Sequence, residues 1–155
     1  MEPSALADLL TDLVLEVFRL NGRLIASGDV LVAKIGLTSA RWQVLGAIAL
    51  QPRPAPVVRI ADAMGLTRQS VQRIVDALEQ EGIVALRPNP HHKRAKLVTL
   101  TKKGSSLYGS AMRLQKQWAT ALSASLDRTS LATTVRVLKR LRVRLEGLGE
   151  TGDPP

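Results

Sequence analysis

Residues 67–73 read Thr-Arg-Gln-Ser-Val-Gln-Arg, a short stretch dense in side chains that can hydrogen-bond. Glutamine pairs bidentately with adenine and arginine with guanine, so Gln69, Gln72 and Arg73 are candidates for reading base edges in a major groove. Thr67, Arg68 and Ser70 are better suited to holding backbone phosphates. No acid appears until Asp76. A solvated helix ordinarily carries Asp or Glu in its first turn to match the dipole, and a first turn free of them suits a surface that approaches phosphates. A second set follows at Pro88-Asn-Pro-His-His-Lys-Arg-Ala95, where Lys93 and Arg94 share with His91 and His92 a loop that no core requires. Arg94 there can enter a neighbouring minor groove, where the potential is most negative. The plain alternative is a solubilising loop. Two adjacent histidines without a nearby carboxylate or cysteine make a poor metal site.

These residues need elements to position them. Val57 to Met64 is helical in pattern, Gly65-Leu66 makes a turn, and Thr67 caps a second helix to about Glu81 whose inward face is Val71, Ile74, Val75 and Leu78. Ala61 supplies the small residue where two helices approach, and Gly65 tolerates positive φ in the turn. Those are the steric demands of a helix-turn-helix. Any helical hairpin in a core can have a glycine turn; the acid-free polar face of the second helix is what sets this one apart. Gly82 is the expected left-handed terminator. Ile83–Arg87 and Lys96–Leu100 then read as strands of a long-tipped hairpin, placed where a wing would be.

On the amino-terminal side, Leu6, Leu10, Leu13, Val17, Leu20 and Leu24 recur at spacings of four and three, one stripe of a helix. Leu9, Val14 and Leu31 widen it, and Gly28-Asp29 interrupts it, so the helix is expected to kink there or end by Ile35-Gly36. Thr38 caps a helix over Ser39–Leu50 with Trp42, Leu45, Ile48 and Ala49 on its apolar face, and Gln51-Pro-Arg-Pro-Ala-Pro56 stops it. Beyond the hairpin, Thr101 caps a helix from Lys102 to about Leu126. Ser130 is the expected cap of a last helix to about Leu148, with Leu131, Leu138, Leu141, Leu145 and Leu148 along one stripe. Residues 150–155 have nothing to bury and are expected to be disordered.

The 155 residues hold 22 Lys+Arg against 13 Asp+Glu, a net charge of +9. Residues 1–52 are near neutral, 53–103 carry ten basic and four acidic groups, and 104–155 eight and four. The excess therefore belongs to a surface and points to a polyanion. With no cysteine, thiol nucleophiles, cysteine-held zinc and iron–sulfur clusters are excluded. No phosphate-cradling glycine loop or clustered carboxylates appear, so neither catalysis nor a cofactor is expected. The longest apolar run, Val44 to Leu50, is far short of a spanning helix. The acidic start is the wrong charge for a leader, which suits a soluble cytoplasmic protein. Single-stranded RNA binding would want aromatic platforms, and none of Phe18, Trp42, Tyr108 and Trp118 lies on the recognition helix or the wing.

Four stretches carry a family likeness: Leu37-Thr-Ser-Ala-Arg-Trp-Gln-Val-Leu45, Ile60 to Glu79, Gly82-Ile-Val84, and Asn89 to Thr101 with Gly104. In order and spacing the chain resembles MarR-family transcriptional regulators, dimeric winged helix-turn-helix proteins. The resemblance implies a mainly α fold with a small β-hairpin wing and a helical dimerisation region. Residues 1–36 would form an N-terminal dimerisation helix, 37–101 the DNA-binding domain, and 102–149 the C-terminal dimerisation helices. It implies a homodimer on a palindromic operator in double-stranded DNA, usually as a repressor, with Thr38 added to the contacts proposed above. It also implies a small-molecule effector, to be sought beside Arg41 and Trp42, although Trp42 also fits a core position. One departure stands out: the family's wing usually has an acid two positions before the minor-groove arginine, and His92 stands there before Arg94. That removes a buttress and adds a group that becomes cationic near pH 6, so mildly acid-enhanced binding is expected. The competing readings are a nonspecific nucleoid-type DNA-binding protein and a winged-helix protein-interaction module.

Overall fold

The computed structural model describes residues 3–151. Helix α1 runs Pro3–Ala33, passing through Gly28-Asp29 and ending before Ile35-Gly36, the second of the two expected outcomes. The pair answers a contact distant in sequence. A Cβ on Gly28 would lie 2.7 Å from Ser39 Oγ, and Asp29 Oδ1 accepts a hydrogen bond from the Ser39 backbone N–H at 2.6 Å. Helix α2 spans Ser39–Ala49, with the Thr38 hydroxyl accepting from the Arg41 N–H. Its amino terminus is thus held by two side-chain oxygens, one supplied by α1.

The proline run after α2 does more than stop it. Ala55–Pro56 forms β1, a two-residue strand with no counterpart in the sequence reading, because so short a segment has no periodicity to detect. Helix α3 follows directly at Val57–Met64, closes on Gly65 at φ 63°, and hands over to α4, Arg68–Gln80, capped by Thr67. Gly82 at φ 67° ends the α4 segment, and the Ile83 N–H reaches back to the Leu78 carbonyl at 2.8 Å. Strands β2 (Val84–Arg87) and β3 (Leu97–Leu100) pair antiparallel from Val84↔Leu100 to Arg87↔Leu97. Strand β1 joins the far side of β3, Ala55 opposite Val98, giving the order β1-β3-β2. An edge is where Pro56, without an N–H, can sit in a sheet.

One core serves this module: Val44 and Leu45 of α2, Ile60 and Ala61 of α3, Val71, Val75 and Leu78 of α4, and Val84 and Val98 of the sheet, with Val32 of α1. Ala61 is buried as the helix-turn-helix requires. Helix α5, Lys102–Ser123, begins against it. Thr101 Oγ1 donates to the Gly82 carbonyl at 2.7 Å and accepts from the Gly104 N–H at 3.1 Å. Gly104 itself is obligatory, since a Cβ there would run into the Ile83 carbonyl.

Helix α5 stops at Ser123, short of the expected Leu126, in a turn closed by the Leu126 N–H on the Ser123 carbonyl. The described residues part into two compact units between Lys116 and Gln117, inside α5. Helix α6 is Arg128–Thr151. Its cap is Asp127, whose Oδ2 accepts from the Ser130 N–H at 2.8 Å, so Ser130 lies in the first turn rather than before it. A carboxylate at a helix amino terminus also meets the positive end of the dipole, which favours Asp127 over the hydroxyl. Those hydrogen bonds, from the Ser130 backbone first and its side chain second, hold the Asp127 carboxyl below the usual carboxylate range. The helix continues through Glu150 and Thr151, two residues into the segment expected to be structureless; 152–155 lie outside the described residues.

Candidate nucleic-acid interface

Between α4 and the β2–β3 hairpin lies a groove of about 970 Å³, floored by Pro56 and Val57. Arg59, Arg68, Arg94 and Lys96 line it, together with His91 and His92, and no acid does. Four fixed cations around one open groove with no opposing carboxylate give it a single sign of potential, which concentrates anions.

The sequence-selected residues divide by position. Arg68, Gln72 and Arg94 line the groove, Gln69 and Arg73 stand exposed on α4, and Lys93 is exposed at the wing tip. Thr67 and Ser70 hold the helix start: Thr67 Oγ1 accepts from the Ser70 N–H at 3.2 Å, and the two hydroxyl oxygens are 2.8 Å apart. Thr38 is exposed, its hydroxyl caps α2, and it does not line the groove. The absence of acids in the first turn of α4 leaves its dipole end uncompensated toward solvent.

Four residues of the site escaped the reading by residue type. Arg59, the cation on α3, and Lys96, at the foot of the wing, belong to the groove; both were legible as members of the basic middle third. Asn89 shapes the tip, its side chain accepting from the His91 N–H at 3.0 Å and donating to the Ala95 carbonyl at 2.9 Å. That closes the loop across its neck and fixes where Arg94 begins, a local Asx turn that Asn-Pro-His could have announced. Asp76 receives a hydrogen bond from Gln72 Nε2 at 2.7 Å, an i,i+4 contact.

Arg41 and Trp42 are both half-buried, Trp42 packed against the core. Arg41 Nη2 lies 2.6 Å from Glu81 Oε2, at the end of α4, yet its N–H directions miss the carboxylate, so the pair is a charge contact without an aligned hydrogen bond. Its Nε is buried with no hydrogen-bond acceptor. Lys103 Nζ reaches the Glu81 carbonyl at 2.8 Å, so two cations meet the carboxyl-terminal end of the α4 segment. Among the described residues no cluster of three or more His, Asp or Glu could hold a metal, and no helix is long and apolar enough to cross a membrane.

A family model described as MarR family matches residues 35–95. The uncharacterized protein Rv2011c of Mycobacterium tuberculosis is 34% identical over 141 residues, covering 91% of this chain and 97% of that one. The fold is shared with a MarR/EmrR family transcriptional regulator from Acinetobacter sp. ADP1, at TM-score 0.79 and 20% identity over 88% of this chain and 96% of the other. It is shared also with CouR from Rhodococcus jostii RHA1, solved bound to p-coumaroyl-CoA, at TM-score 0.75 and 22% identity over 84% and 91%. Of these, the Acinetobacter protein is described as a transcriptional regulator.

Proposed function

The chain belongs to the MarR family of transcriptional regulators, and from that premise we propose that it is a homodimeric, sequence-specific double-stranded DNA-binding protein acting on a palindromic operator. The observation that carries this reading is the acid-free groove between α4 and the wing, with Arg59, Arg68, Arg94 and Lys96 around it. Helix α4 enters the major groove with Gln69, Gln72 and Arg73 toward base edges. Thr67, Arg68, Ser70 and Thr38 hold the strand, and Lys93 and Arg94 bring the wing to the minor groove. One such helix reads only a few base pairs, so two copies are needed to find a site in a genome. The exposed apolar stripes of α1 and α6 support that second copy. Occupied over a promoter, the dimer represses.

A small anionic or aromatic effector, received beside Arg41 and Trp42, makes the repressor responsive. The buried, acceptor-less Nε of Arg41 supports a carboxylate-bearing ligand there. CouR, which shares the fold, was solved with an acyl-CoA.

The test compares affinity for an operator recovered from genomic fragments with affinity for scrambled duplex of the same length, at stated salt. A ratio of 10³ or more supports operator reading, and a ratio near one supports a nonspecific nucleoid-type protein. Arg73→Ala costs about 1–3 kcal/mol on the right operator and relaxes one position, whereas Arg94→Ala weakens binding more evenly. Unchanged affinity in both variants would remove this surface from consideration.

A further inference from the structure

Gln72 sits half-buried in the groove wall, and its Nε2 donates to Asp76 Oδ1 at 2.7 Å, one turn further along α4. A carboxylate has lone pairs and no proton, so it can only accept. The amide is therefore held with its NH₂ end at Asp76 and its Oε1 end turned the other way. Turning it over would set Oε1 against the carboxylate, acceptor against acceptor. In open water that repulsion is mild; under a bound duplex, where the interface sheds water, it grows.

We propose that Asp76 is a positioning residue for operator specificity, fixing Gln72 as a reader of base amino groups. Held this way, Oε1 accepts from N6 of adenine or N4 of cytosine. Guanine presents only the acceptors N7 and O6 on its major-groove edge, and thymine only O4 and a methyl group, so neither offers Oε1 a proton. Adenine alone takes both groups, because the second amide N–H reaches its N7; guanine and thymine can accept that N–H but leave Oε1 without a donor. The role also accounts for an acid on a helix face that otherwise meets DNA with neutral and cationic groups. Asp76 touches no base; it acts through Gln72. The inference rests on the DNA-binding reading above and adds to it which bases one side chain accepts.

The experiment uses the full chain and a selected operator with every base pair permuted. Gln72→Ala identifies the pair that Gln72 reads as the one whose preference flattens. At that pair the unsubstituted protein favours A or C over G or T about tenfold. Asp76→Asn, whose carboxamide both donates and accepts, lets the Gln72 amide turn either way and brings the four bases within about twofold. The Gln72→Ala/Asp76→Asn double variant matches Gln72→Ala alone at that pair. The proposal is overturned by a preference for G or T there, by a Gln72→Ala variant that flattens no pair, or by an Asp76→Asn variant that tightens all duplexes alike and keeps the preference. The last result would make Asp76 a mere repeller of phosphates. Arg94→Ala is the control: loss of affinity there with an unmoved Asp76→Asn preference sinks this inference alone, whereas no loss there or in Arg73→Ala sinks the DNA-binding reading.

Discussion

Helices α4 and α1 both carry apolar residues at helical spacing, and the chain covers one stripe while leaving the other open. Val71, Val75 and Leu78 of α4 are fully buried among α2, α3 and the sheet, whereas Leu6, Leu10, Leu20 and Leu24 of α1 stay exposed, with Phe18 at 69%. Helix α6 resembles α1 in this respect: none of its described side chains is buried, and Leu145 is 67% exposed. Fully burying a Leu or Val is worth about 1.5–3 kcal/mol, so the α4 stripe stabilises the single chain. The stripe of α1 is open, and the second copy proposed above would return the same free energy by covering it. Equal patterns in sequence thus serve folding in one helix and, on that proposal, assembly in the other.

The comparison breaks most sharply at α1. Leu10→Glu with Val17→Glu, two positions on the open stripe, should leave the helical content intact and lower operator affinity by more than about 100-fold, because a single copy reads half a site. Sedimentation of this variant should show one chain; a dimer of unchanged affinity would place assembly elsewhere. A cut in the covered stripe has the opposite signature. Leu78→Ala should lower unfolding free energy by about 2–5 kcal/mol, read by chemical denaturation, and leave the oligomeric state of the folded fraction unchanged.

A smaller effect sharpens the contrast for α6, none of whose described side chains is buried, so that its cap matters more. The Asp127 carboxyl is held low by hydrogen bonds from Ser130, so its contribution is complete above the ordinary carboxylate pKa and is lost as pH falls through the lowered value. Helical signal from the start of α6 should decline only below about pH 4, and Asp127→Asn should flatten that dependence. The smallest change concerns the groove itself, where His92→Ala should alter operator affinity by no more than about twofold, read by equilibrium titration of the duplex.

What the chain discloses about itself follows the range of the interaction. The α4 stripe, the Thr67 cap and the Gly82 terminator are local, and each stands in the structure where residue type and spacing put it. Gly28 and Asp29 interrupt the stripe without ending the helix, and the reason is Ser39, ten residues beyond Asp29. Strand β1 is defined by Val98 and Leu97 rather than by its own two residues. The last helix was expected to start on Ser130, and its cap is Asp127, three residues earlier, whose carboxylate accepts from the Ser130 N–H. On the groove, the cations of α4 and the tip were legible by type, while Arg59 and Lys96 joined them only through the packing of α3 and the hairpin against α4. The Gln72–Asp76 pair was visible as an i,i+4 spacing, and its meaning waited on which face of α4 looks into the groove.

Thr101 gives the wing a tolerance that its shape alone does not show. Its hydroxyl ties Gly82 and Ile83 at the point where the hairpin leaves and rejoins the module, so everything between is a loop closed at its root. Lengthening such a loop costs only about 0.6 kcal/mol for each doubling, and its tip touches no core. Residues 88–95 are therefore the stretch in which insertions and exchanges can accumulate while the helices that hold α4 stay as they are. The tie at Thr101 thus lets the tip change length at little cost to the helices beneath it.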